Sequence, residues 1–115
     1  MTATNLALTL LSVLAIAAGQ VLFKLAARAG TTGANGLLEL LNPWLFAALV
    51  IYGFATVLWV WVLKSAPLHI AYPFMGFAFI IVPLLASVFL GEPLGWRVLA
   101  GGALITAGVA VASWR

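Results

Sequence analysis

LALTLLSVLAIAAGQVLFKLAAR, residues 6–28, decides the architecture of this chain. From Leu6 to Ala27 the run is apolar and long enough to cross a hydrocarbon layer, which takes about 20 residues as a helix. Its charged and amide groups gather at the end, GQVLFKLAAR, where Gln20, Lys24 and Arg28 recur at i, i+4 and i+8 along one slowly drifting face. Thr9 and Ser12 fall on the same side further back. An ionisable group inside or at the rim of a bilayer is costly, so it faces protein or a wet cavity and marks a candidate functional site. Arg28 by itself reads as a snorkelling anchor that ends the span. Lys24, with Gln20 one turn deeper, reads as a substrate-binding group, with a second snorkelling anchor as the alternative, and the three together form the first candidate binding set.

Composition sets the solvent. The chain is 66% hydrophobic and 6% charged, against about 45–50% and about 25% in soluble domains. It is therefore expected to be an all-α integral membrane protein. Its 115 residues suffice for one domain, 1–115, of four crossings at about 6–27, 43–63, 70–90 and 96–113. With no cysteine there is neither a disulfide framework nor a thiolate metal site. The net charge of +3 rests on seven charged side chains, too few for a nucleic-acid footprint.

Residues 1–5 carry no Lys or Arg, so the first segment reads as a span and not as a leader. Between Ala29 and Asn42, Gly30, Gly33, Asn35 and Gly36 break the helix, and LLELL (37–41) suits the interface with Glu39 toward water. Asn42-Pro43 starts the second helix as cap and first-turn proline. Trp44 at one end, and Trp59 and Trp61 at the other, form its aromatic belts, while Tyr52, Gly53 and Thr56 read as packing positions.

The third span holds Pro73 near its start and Pro83 well inside, so a bend is expected in its second half. Tyr72 and Phe74, with Phe77 and Phe79, are candidates to line a substrate path or, equally, to face lipid as apolar bulk. Gly91-Glu92-Pro93 is a turn at the membrane edge, and Trp96 and Arg97 anchor the fourth span. There Gly101, Gly102 and Gly108 lie among alanines, with Gly101 and Gly108 two turns apart on one face. They are the candidate packing surface between subunits, with packing within one subunit as the alternative.

No catalytic constellation assembles from these residues. Asp is absent, His69 stands in a short turn, and Glu39 and Glu92 lie in different connections. No carboxylate pair, activated nucleophile, metal-ligand cluster or phosphate loop results, so neither an enzyme nor a cofactor is expected. Basic residues give little orientation: Lys64 and Arg115 fall on one side, and Lys24, Arg28 and Arg97 on the other. Setting Lys24 aside as buried makes the sides equal, which suits insertion both ways round and an antiparallel dimer with a site near the midplane.

SAPLHIAYPFMGFAFIIVPLLASVFLGEPLGWRVLAGGALITAGVAV, residues 65–111, resembles the second half of a four-helix member of the drug/metabolite transporter superfamily. The resemblance rests on PLHIAYP (67–73), LGEPL (90–94) and the glycine-rich last helix, and GQVLFKLA (19–26) is similar to the end of the first helix in such proteins. In the small multidrug resistance branch a Glu stands in the first helix where this chain has Ile16, and a stacking Trp where it has Met75. Both departures disfavour proton-coupled cation export.

The other branch, the aminoarabinose-lipid flippase subunits, shares the IAYP pattern, the Glu-Pro turn and the lack of that Glu. This resemblance implies translocation of an undecaprenyl-phosphate-linked sugar across the bacterial inner membrane, with Lys24 and Gln20 as headgroup ligands. It also implies a homodimer, or a heterodimer with a homologous subunit. An exporter of small cationic drugs or metabolites, and a structural partner of a membrane enzyme, are the alternatives.

Overall fold

In the computed structural model, which describes residues 2–29 and 41–114, the first crossing is helix α1, Ala3–Ala29. It begins before Leu6 because Thr2 caps it: the Asn5 amide donates to Thr2 Oγ1 at 3.1 Å and the Leu6 amide to the Thr2 carbonyl at 2.9 Å. At about 1.5 Å per residue its 27 residues reach about 40 Å, about 10 Å beyond the hydrocarbon thickness. The surplus lets Arg28 reach the headgroups, with Lys24 one turn further in. Helix α2, Pro43–Leu63, follows Asn42, whose side-chain oxygen accepts from the Trp44 and Leu45 amides at 3.0 and 3.2 Å. The Asn-Pro pair thus acts as cap and first-turn proline. Residues 30–40, with the glycines, Asn35 and Glu39, and residue 115 lie outside the described residues.

The third crossing is composite: helix α3, Leu68–Ala71, a 3-10 stretch, Tyr72–Phe77, and helix α4, Ala78–Leu90. Its winding is unbroken through Pro83. The 3-10 winding lies just after Ala71, in the first half of the crossing. Pro73 stands in the first turn of that stretch, where a missing amide hydrogen interrupts little. Gly76 then lets the last helix, α5 (Trp96–Ser113), come close: a Cβ added at Gly76 would lie 2.8 Å from Val109 Cγ2. The four crossings are helices long and apolar enough to span a membrane, at Ala3–Ala29, Pro43–Leu63, Leu68–Leu90 and Trp96–Ser113.

α1 and α2 form an antiparallel hairpin whose register is pinned at both ends and in the middle. Asn5 Nδ2 donates to Ser65 Oγ (2.7 Å), Gln20 Nε2 to Tyr52 Oη (2.6 Å) and Asn42 Nδ2 to the Ala26 carbonyl (3.1 Å). Between these bonds the fully buried apolar side chains include Val13, Ala17, Ala48, Ala55 and Val62. Small residues here allow close backbone approach, which drives helix association in lipid where apolar burial alone does not. Thr9 and Ser12 belong to this buried set and not to an open face with Gln20. Their hydroxyls donate to the Asn5 and Leu8 carbonyls of their own helix, at 2.7 and 2.9 Å, and need no other partner.

α1 also packs on α4, and α5 rests on α4 and the 3-10 stretch. The helices therefore follow one another as α2, α1, α4, α5, and the Cα envelope of 53 × 35 × 19 Å is that of a row, not of a bundle closed around a centre. Only 6% of the apolar window of the third crossing is buried within the chain. Lipid or another subunit covers the rest.

Candidate functional site

Gln20 and Lys24 face the cleft between α1 and α4, which has two parts. The deeper part, about 310 Å³, is lined by Ile16, Gln20, Ala78, Phe79, Val82 and Pro83. Apart from the Gln20 amide these are apolar side chains. The outer part, about 250 Å³, is lined by Gln20, Val21, Lys24, Val82, Ala86, Leu90 and Glu92, and it carries a charge of each sign. Gln20 and Val82 border both, so the parts are one cleft, apolar inward and charged at the rim.

The Gln20 amide is held from behind. Tyr52 of α2 lies across Gly19, where an added Cβ would come 2.6 Å from the ring, and its hydroxyl accepts from Gln20 Nε2. Phe23 supports the ring at a centroid distance of 5.2 Å and a tilt of 56°. Because the Tyr52 oxygen accepts this bond, the hydroxyl keeps its own hydrogen to donate. Tyr52 lines neither part of the cleft and serves it by positioning Gln20, a role beyond the helix packing that its place in the sequence suggests. A lone tyrosine in the middle of an apolar span was the available signal, but its alignment with Gln20 depends on the α1–α2 register.

Lys24 makes no hydrogen bond or ion pair with a described residue, and its ammonium stands open at the rim. Arg28 is engaged differently: its Nη2 donates to the Leu90 carbonyl at 3.3 Å, tying the end of α1 to the end of α4. The chain leaves α4 through Gly91, whose φ of 68° is left-handed, and the Glu92 amide turns back to donate to the Ala86 carbonyl at 3.2 Å. That turn brings half-buried Glu92 to the same cleft as Lys24. In the sequence alone Glu92 reads as part of an edge turn. Parity of crossings would have put it on the Lys24 side of the membrane.

Tyr72 and Phe74 are not brought to this cleft. Tyr72 lines a separate cavity with Trp59, Leu68, His69 and Pro73, near the opposite end of the third crossing, and Phe74 packs on Phe77 at 5.9 Å. Phe79, one of the aromatic run, lines the deeper part of the cleft together with Gln20. Gly102 is also reassigned, because successive helical residues turn by about 100° and the adjacent glycines face different ways. A Cβ at Gly102 would lie 2.5 Å from Ile80 Cγ1, so it serves packing within the chain, whereas Gly101 and Gly108 have nothing within 4 Å. At the interfaces Lys64 lies over the Trp61 ring at 4.6 Å and Arg97 over Trp96 at 5.4 Å, consistent with anchoring. Among the described residues no three His, Asp or Glu side chains gather as metal ligands.

No protein-family profile matches the chain. No solved structure matches it. Curated relatives do. It is 36% identical over 97 residues, 84% of this chain and 85% of the relative, to the probable 4-amino-4-deoxy-L-arabinose-phosphoundecaprenol flippase subunit ArnE of Yersinia pestis. It is 39% identical over 92 residues, 80% of this chain and 81% of the relative, to the protein of the same description from Sodalis glossinidius. With four apolar crossings and that identity over most of both lengths, the chain belongs to the family of aminoarabinose-phosphoundecaprenol flippase subunits.

Proposed function

We propose that this chain is one subunit of a flippase that moves an undecaprenyl-phosphate-linked aminoarabinose across the membrane, with the cleft between α1 and α4 as its headgroup site. The observation that carries the reading is the division of that cleft. A lipid phosphate needs a cation and hydrogen-bond donors at headgroup depth and an apolar path for its tail. Lys24 and the Gln20 amide, held in place by Tyr52, meet the first need, and Ile16, Phe79, Val82 and Pro83 the second. Lysine binds phosphate as a point charge, and the apolar wall beside it lowers the local dielectric and strengthens the attraction.

The protein is a multi-pass component of the inner membrane. Its part in transport involves no catalytic step: binding and reorientation move the headgroup. The row of helices leaves the cleft and the Gly101/Gly108 face open, and a second four-helix subunit, another copy or a homologue, completes the pathway. The small difference in basic residues between the two sides suits a partner of opposite orientation.

The test is competition on purified protein in nanodiscs. Labelled undecaprenyl phosphate should bind and be displaced by the unlabelled lipid but not by tetraphenylphosphonium. Displacement by the cation alone would replace the flippase reading with that of a cation exporter.

A further inference from the structure

We infer that Glu92 and Lys24 form a two-point site for a dipolar headgroup, Lys24 taking its phosphate and Glu92 an ammonium at its other end. The inference rests on the proposed function for the phosphate and adds the means by which an amino sugar is distinguished from other lipid phosphates.

Both charges line the same space of about 250 Å³. They are not in direct contact with each other, since neither side chain makes an ion pair with a described residue, which leaves both able to meet a ligand. The volume lies just below the range of about 300–1,000 Å³ for small-molecule pockets, which suits one sugar with its phosphate. A site built for phosphate alone would gain nothing from a carboxylate at its edge, because the like charge repels the ligand. The carboxylate is favourable only if the ligand also presents a cation. A 4-amino pentose linked through its anomeric phosphate does so, with ammonium and phosphate on opposite sides of one ring. The turn at Gly91 fixes where Glu92 stands, and half-burial limits its competition from water.

The experiment compares two probes on the full chain in nanodiscs: undecaprenyl phosphate-aminoarabinose and its N-acetyl derivative, in which the amine carries no charge. The parent should bind the amine form about tenfold more tightly, the effect of one charge-assisted hydrogen bond. Glu92→Gln should erase that preference by weakening the amine form alone, and Glu92→Asp should restore part of it. Lys24→Ala should weaken both probes alike. If Glu92→Gln keeps the preference, weakens both probes equally, or leaves the selectivity to Glu39→Gln, the two-point site is wrong. If Lys24→Ala changes neither probe, the phosphate reading beneath it fails, whatever Glu92 does.

Discussion

Gly19→Ala tests whether the wall behind Gln20 is as tight as the packing indicates. The new Cβ would lie 2.6 Å from Tyr52 Cδ2 and 2.9 Å from Cε2. Reaching ordinary contact requires the ring to retreat by about 1 Å, a gap that forfeits much of a dispersion contact. The retreat strains the Phe23 ring contact, about 0.5–1.5 kcal/mol, and the Gln20 hydrogen bond, about 0.5–1.5 kcal/mol. Alanine returns up to about 1 kcal/mol through helix propensity, so a net loss of about 1–2 kcal/mol is expected. Unfolding of purified protein in mixed dodecyl maltoside and SDS, followed by far-ultraviolet circular dichroism, measures it. Gly108→Ala, with nothing within 4 Å, is the control and should leave chain stability unchanged or slightly raised. In a Tyr52→Ala background the Gly19→Ala loss should vanish. Equal stability of Gly19→Ala and the parent would refute the close approach of α1 and α2.

Gly108→Leu should weaken self-association in lipid, because the added side chain projects from the open face of α5; an unchanged dimer fraction by cross-linking moves the interface elsewhere. Gly91→Ala should cost about 1–2 kcal/mol in the same unfolding assay, since its φ of 68° suits glycine and strains an L side chain; no loss would mean that the turn relaxes freely. A reporter fused after Arg115 should be active on both sides of the membrane if the chain inserts both ways round. Activity on one side only would require a partner of fixed opposite topology.

The crossings were legible because each rests on local properties: apolar length, the Asn42-Pro43 cap and interfacial Trp. Gln20 and Lys24 were singled out for the same reason, as polar groups in an apolar helix. What escaped depends on how helices meet. Tyr52 joins Gln20 only through the α1–α2 register, and Thr9 and Ser12 are buried by that same contact although helical phase alone put them near Gln20. Tyr72 and Phe74 begin the third crossing, at the wrong end for Lys24. Glu92 reaches the cleft through a left-handed glycine. Gly102 and Gly101 look alike in sequence and part only where Ile80 meets one of them.

The most direct test of the account is the affinity of the purified chain for undecaprenyl phosphate before and after Lys24→Ala. Removing the cation that faces a half-desolvated phosphate should cost about 1.5–3 kcal/mol, a roughly ten- to hundredfold loss in affinity, with the fold intact by circular dichroism. Lys24→Arg should recover part of the binding, since it keeps the charge and changes the donor geometry. Undiminished binding by a folded Lys24→Ala protein would make Lys24 a snorkelling anchor and contradict the assignment of the cleft.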